Sequence, residues 1–283
     1  MDRAGRVDAG GARRALGRAL GGLTLGLIAL AVGPSLAAPR VLSLDQCADQ
    51  YVLELSPRVA IVGLSPRADD ADSRLRARAA GLPARRATLE AALAARPDVV
   101  LRTWGGDPRL VAALRARGVR VVSLDGAPDF GGIRADIRAA AAALQQQTAG
   151  EALIGRMDAR LSTSKGAWRG ASAAYLTPGG ATAGPGTLPH AILTAAGMTN
   201  AETRPGFRLI PLERLAAHPP EAVVLGFFDT FQFIGDHWSV GRHRVLRRLA
   251  DERAVARLPG ELLSCADWSA AEAVAQLAKA APR

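Results

Sequence analysis

Apolar and polar positions along the chain follow two periods in turn. Short apolar runs at Arg40–Leu44, Val59–Leu64, Val99–Arg102 and Val119–Leu124, each bounded by turn residues, predict buried strands. Between them Asp45–Leu55, Thr88–Ala95 and Pro108–Arg117 keep helical spacing, the last stopped by Gly118. From Ile133 to about Gly166 the strand signal stops. One helix is predicted to about Gln147 and a longer one from Thr148 to about Lys165, with Thr148 as N-cap and Glu151 three residues on. Alternation then resumes with strand Ala171–Leu176, helices Leu188–Ala196 and Leu212–Ala217, and strand Ala222–Phe227. Helix Val245–Ala250, an apolar stretch at Leu262–Leu263 and a closing helix at Ala270–Ala280 complete the chain. This order predicts an α/β fold of two doubly wound, mainly parallel lobes bridged by one long α-helix.

The two halves echo each other. Leu89-Glu90, Leu93, Pro97-Asp98 and Val99-Val100-Leu101 return as Leu212-Glu213, Leu215, Pro220-Glu221 and Val223-Val224-Leu225. The offset is 123 at the glutamate (213 − 90) and 124 at the valine pair (223 − 99). A pseudo-symmetric organisation follows: an N-terminal lobe over 38–147, a linking helix over 148–168 and a C-terminal lobe over 169–283.

Residues 1–37 read differently. Arg3, Arg6, Arg13, Arg14 and Arg18 precede 13 residues without a charge (Leu20–Val32), and small residues follow at Ser35 and Ala37. These are the three regions of a secretory signal peptide cut after Ala37. The apolar run is shorter than the 18 or so residues of a membrane span. Without 1–37 the formal charge of +10 falls to +7, since five basic and two acidic residues leave. Of the 36 basic residues only Lys165 and Lys279 are lysines, and the arginines lie scattered, often beside acids. A nucleic-acid surface would cluster them and interleave aromatics, so nucleic acid is not an expected partner.

Several chemistries drop out. The segment Gly179–Thr187 is glycine-rich and lies between a strand and a helix. However, Pro185 follows Gly184 where a phosphate-binding loop needs Lys, and proline has no N–H to offer. Its glycines suit a tight turn or a backbone close to a ligand. His190, His218, His237 and His243 show no ligand spacing, so no metal site is expected. No acid–base or nucleophile constellation is present, and the chain is not expected to be an enzyme.

The aromatics suggest binding instead. Phe227, Phe228, Phe231, Phe233 and Trp238 follow strand Ala222–Phe227; Trp104-Gly105-Gly106 follows Val99–Arg102; Asp267-Trp268 follows the last apolar stretch. Loops at the carboxyl ends of parallel strands are where open α/β sheets hold ligands. The pattern leaves open which of Trp104, Trp238 and Trp268 line a cleft and which pack inside.

Arg40-Val41-Leu42-Ser43-Leu44, the helix containing Cys47-Ala48-Asp49-Gln50, the Leu-Glu helices and the single long linking helix occur here in one order. That order resembles the periplasmic substrate-binding proteins of ABC importers for cobalamin, ferric siderophores and related iron chelates. The resemblance spans about 39–283. It implies a class III periplasmic-binding-protein architecture, a monomer in the periplasm, and a corrinoid or ferric chelate held between the lobes with no resident cofactor. Haem and a secreted two-lobed enzyme remain the alternatives. The resemblance also implies docking on an inner-membrane permease–ATPase complex through Glu90 and Glu213, and ligand contacts from Trp104, Tyr175, Phe228, Phe231, Trp238, Asp267 and Trp268. Cys47 and Cys265 map to cleft-side loops of the two lobes. In an oxidising compartment they are candidates for a disulfide; buried thiols or ligand contacts are the other readings.

Overall fold

The computed structural model describes residues 38–210, 212–229 and 243–282. The candidate signal segment, Phe231, Phe233, His237 and Trp238 lie outside the described residues. Among those described, no helix is long and apolar enough to cross a membrane.

The N-terminal half runs β1 (Val41–Ser43), α1 (Gln46–Leu55), β2 (Ile61–Gly63), α2 (Arg76–Ala79), α3 (Leu89–Ala95), β3 (Val99–Arg102), α4 (Pro108–Arg115), β4 (Arg120–Ser123) and α5 (Phe130–Ala143). Its four strands form a parallel sheet in the order β2-β1-β3-β4. Each helix start is written in the sequence: Asp45, Thr88, Asp107 and Asp129 accept a backbone N–H from the first turns of α1, α3, α4 and α5.

After α6 (Gln147–Ser164) the second half runs β5 (Ser172–Leu176), β6 (Ala181–Ala183), α7 (Leu188–Ala195), β7 (Thr199–Asn200), β8 (Phe207–Leu209), α8 (Leu212–Ala217), β9 (Ala222–Gly226), α9 (Arg244–Arg253), β10 (Ala254–Leu258) and α10 (Ala270–Lys279). Its main sheet is also parallel, in the order β10-β9-β5-β7. Numbered within each half, both sheets have the strand order 2-1-3-4, so the repeat seen in the sequence is a repeat of topology. The second half adds one device, an antiparallel pair β6–β8 in which Ala181 faces Leu209 and Ala183 faces Phe207.

One sequence expectation needs correction here. Thr148 does not cap α6: Gln146 stands at the cap position without a side-chain bond, and Thr148 lies inside the first turn. Glu151 instead pairs with Arg138 of α5 at 2.7 Å. The glycine-rich segment makes the tight turns its glycines suit, on either side of β6 in the β6–β8 ribbon, with φ of 77° at both Gly180 and Gly186. A Cβ on Gly184 would stand 1.9 Å from the Arg204 carbonyl, so the ribbon closes only over glycine. β7, β8 and β10 were missed because they are two to five residues long and, apart from Asn200 and Leu258, not buried.

One continuous core joins both halves. Val41, Tyr51, Val99, Ile133 and Ile137 from the first belong to the same buried cluster as Ile154 and Met157 of α6 and Tyr175, Ile192, Val224 and Val274 of the second. A separate smaller cluster backs each sheet on its other face. Both sheets are thus covered on two faces, as parallel sheets require.

Candidate functional site

The carboxyl ends of the strands carry the features that suit ligand binding. In the first lobe, β3 ends at Arg102 and the chain turns through Thr103-Trp104-Gly105-Gly106. Trp104 is 55% exposed, unusual for so large an apolar ring. The turn beneath it is fastened. One oxygen of Asp45, Oδ2, accepts the backbone N–H groups of Thr103 (2.7 Å), Trp104 (3.1 Å) and Gly105 (2.8 Å). Its other oxygen caps α1 through Ala48 N–H at 3.0 Å. Arg102 donates to the carbonyls of Trp104, Gly105 and Gly106.

In the second lobe β9 leads into Phe227, whose φ of 64° is in the left-handed region, and Phe228, which is 39% exposed. The Arg257 guanidinium lies over the Phe228 ring, 5.7 Å from its centroid. Asp229 accepts the Gly260 N–H at 3.0 Å. The 124-residue offset that relates Val99-Val100-Leu101 to Val223-Val224-Leu225 also relates Trp104 to Phe228 (228 − 104). Each lobe therefore presents an exposed aromatic ring at the same point of the repeat.

The two carboxyl edges meet where the loop after β10 reaches α1. A disulfide joins Cys47 to Cys265, with Cα atoms 5.3 Å apart. Asp72 receives hydrogen bonds from Gln46 (2.9 Å) and Ser264 (2.9 Å). The Tyr51 hydroxyl donates to the Ala266 carbonyl at 3.2 Å. Arginines bridge around this point: Arg76 to Glu261 at 2.7 Å, Arg74 to Glu272 at 2.8 Å, and Arg156 of α6 to Glu54 of α1 at 2.8 Å. Some of the dispersed arginine excess is thus used to tie elements together.

Three expected ligand contacts are repositioned by the structure. Tyr175 is 1% exposed inside β5, its ring pressed against Gly226, where even a Cβ would lie 2.2 Å from the hydroxyl oxygen. Asp267 is 1% exposed and accepts Ser269 N–H at 2.7 Å; burial raises its carboxyl to about 6. Trp268 is half-buried and meets Tyr51 edge to face, with ring centroids 5.3 Å apart. Tyr175 is buried between strands, whereas Asp267 and Trp268 stand at the lobe junction because the loop after β10 turns inward onto α1. Trp104 and Phe228 keep the exposure a contact needs. Phe231 and Trp238 lie outside the described residues. Asp45, Arg102 and Asp72 were missed: an Asp between strand and helix signals a cap, but nothing local signals that Asp45 has partners 58–60 residues away or that Asp72 has one 192 away.

Glu90 and Glu213 are each the second residue of the helix that precedes the third strand of their lobe, α3 and α8, and both are exposed. A cavity of about 570 Å³ opens beneath α8, lined by Thr182, Glu202, Ile210, Arg214 and His218. It also borders Ser172, the first residue of β5, and so lies away from the carboxyl edges. Among the described residues no group of three His, Cys, Asp or Glu side chains could hold a metal ion.

Two parallel sheets of the same strand order, joined through a single 18-residue helix, define a bilobed α/β binding fold. A family model described as periplasmic binding protein matches residues 41–234, and the chain belongs to that family. Solved structures agree on the fold. The periplasmic haem-binding protein BhuT in complex with two haems is 24% identical, with a TM-score of 0.67, over 86% of this chain and 99% of that one. The periplasmic haem-binding protein HutB of Vibrio cholerae has a TM-score of 0.70 at 16% identity, over 85% and 98%. The periplasmic vitamin B12-binding protein BtuF of Vibrio cholerae has a TM-score of 0.59 at 17% identity, over 86% and 96%. No curated protein sequence matches this chain.

Proposed function

We propose that this protein is the substrate-binding component of an ABC importer, which takes up a large metal chelate between its lobes and hands it to a membrane permease. The observation that carries the reading is the pair Trp104 and Phe228, exposed at repeat-equivalent points on the carboxyl edges of the two lobes. Two rings offered from opposite lobes suit a broad, semi-apolar ligand that both can cover. BhuT and HutB bind haem and BtuF binds vitamin B12, all metal chelates of that shape.

The donors left accessible narrow the ligand. Haem iron takes His, Tyr, Cys or Met side chains as axial ligands. Tyr51 and Tyr175 are buried, as are Met157 and Met198, and both cysteines are in the disulfide. That favours a chelate whose metal is already fully coordinated, a corrinoid or a ferric siderophore. A haem reading rests on a histidine, with His243 at the start of α9 a described candidate: its Nδ1 accepts Val245 N–H, which leaves Nε2 open.

Tryptophan fluorescence titrated with cyanocobalamin, a ferric hydroxamate siderophore and haemin tests this. One of the first two should quench saturably. Trp104→Ala and Phe228→Ala should each weaken that binding by about 1–3 kcal/mol. Unchanged affinity in both variants, or no binding by any of the three, defeats the reading. A haemin Soret shift that disappears in His243→Ala moves it to haem.

A further inference from the structure

We propose that Asp45, together with Arg102, is a positioning pair that sets Trp104 in its ligand-facing pose; this rests on Trp104 being a ligand contact. Three successive N–H groups, Thr103 to Gly105, converge on one carboxylate oxygen at 2.7–3.1 Å. Such a concave run of amides is an anion-binding nest. Here the anion is the chain's own Asp45, 1% exposed and fixed by its second oxygen to the start of α1.

The opposite side of the same turn is also occupied. Arg102 reaches back over the turn: Nε donates to the Gly105 carbonyl at 2.5 Å and Nη2 to those of Trp104 and Gly106 at 3.2 Å each. Arg102 is itself held by Ser123 Oγ at 3.3 Å. The Trp104–Gly105 peptide is therefore held from two directions, its amide hydrogen by a buried anion and its carbonyl by a cation, and the preceding peptide is held through the Trp104 N–H. Gly105 must be glycine for this, since a Cβ would stand 2.4 Å from the Leu44 carbonyl oxygen and 2.8 Å from the Asp45 Cβ.

A four-residue turn with two glycines would otherwise sample many backbone states, and Trp104 would have to be ordered when ligand arrives. Ordering done in advance is affinity gained without any added contact. Fixing α1 would require only the Oδ1 bond to Ala48. The three bonds at Oδ2 serve the turn alone.

Capping and clamping can be separated by substitution. Asp45→Ser retains an N-cap side chain but is too short to reach Thr103–Gly105. Arg102→Gln removes the other hold and leaves α1 untouched, so it carries the test if Asp45→Ser does not fold. Protein labelled with 5-fluorotryptophan gives a ligand-independent readout, with the Trp104 resonance assigned by its loss in Trp104→Phe. Each variant should shift or broaden that resonance and leave the other tryptophans in place. Affinity is then measured for cyanocobalamin, the ferric hydroxamate or haemin, whichever the wild type binds. Asp45→Ser should weaken it roughly tenfold, within the range of a lost aromatic anchor. Combined with Trp104→Ala it should add nothing further.

An unmoved Trp104 resonance, or losses that multiply in the double variant, overturns the proposal. If Trp104→Ala leaves affinity unchanged while Asp45→Ser still moves the resonance, the clamp exists but Trp104 is not a ligand contact. That outcome removes the positioning role, whereas the binding reading itself falls only if Phe228→Ala is without effect as well.

Discussion

The two lobes share a scaffold and differ in almost everything attached to it. Both sheets run 2-1-3-4, both third strands follow a helix with glutamate at its second position, and both lead to an exposed aromatic two residues beyond the strand. The loops have diverged. Trp104 is held by an internal carboxylate and an arginine, whereas Phe228 lies under Arg257 after a residue in left-handed conformation. The second lobe also carries the antiparallel β6–β8 ribbon, which has no counterpart among the described strands of the first. The paired glutamates would suit a symmetric partner, and the unlike supports of Trp104 and Phe228 would suit an asymmetric ligand.

The sharpest way to break that comparison acts on the shared part. If the lobes dock a two-subunit permease as a matched pair, Glu90→Ala combined with Glu213→Ala should abolish stimulation of the transporter ATPase. Each single variant should retain part of it, and ligand affinity should not change. Stimulation that survives in the double variant would mean that the repeat is inherited architecture with no role in docking.

A second test asks whether the lobes depend on each other. Cys47 and Cys265 are 218 residues apart, and their bond closes nearly the whole described chain into one loop. Long loops gain most from closure, so Cys47→Ser with Cys265→Ser should cost about 2–5 kcal/mol in denaturant unfolding. The bridging ion pairs are partly exposed and worth far less each. If stability is unchanged, the shared core around α6 and α10 alone couples the lobes.

Much of this was legible in the sequence because it is local. Val99–Arg102 and Leu212–Ala217 stand at their expected bounds, and α10 ends one residue early, since apolar period and end signals coincide there. The repeat was legible for the same reason: its Leu-Glu and Val-Val-Leu blocks are contiguous. Site residues divided by range. Trp104 and Phe228 follow a strand directly, so exposure could be argued from position. Tyr175 could not be placed: in a strand buried on both faces, alternation carries no information about which side meets ligand. Asp45 reads as a cap and nothing more, because the turn it organises comes from β3, across the sheet. The setting of Trp268 was not legible because the path of the loop after β10 is set by Tyr51 and the disulfide, both contacts over more than 200 residues.

A last contrast between the lobes lies in two buried acids, Asp49 and Glu202. Two residues beyond the second strand, the first lobe has Ser65 and the second Glu202. Ser65 is held by Asp49, which accepts its N–H at 2.9 Å and its hydroxyl at 2.5 Å and has no ion pair among the described residues; burial raises the Asp49 carboxyl to about 7 against these bonds. Glu202 has the opposite surroundings. Hydrogen bonds from Arg204, with Arg214 close by, hold it down at about 2. The consequences for stability have opposite sign. Folded Asp49 keeps a proton that the unfolded chain has released, so its contribution falls as pH rises from about 4 to 7. Glu202 contributes fully above its unfolded value of 4.5 and loses that contribution as pH drops towards 2. Asp49→Asn removes the first ionisation and retains one acceptor for Ser65. The variant should therefore gain on wild type between pH 4 and 7, by at most about 4 kcal/mol at pH 8, with thermal melts across that range as the measurement. A constant difference at every pH would mean that Asp49 is charged throughout, and that the first lobe supplies a counter-charge as the second does.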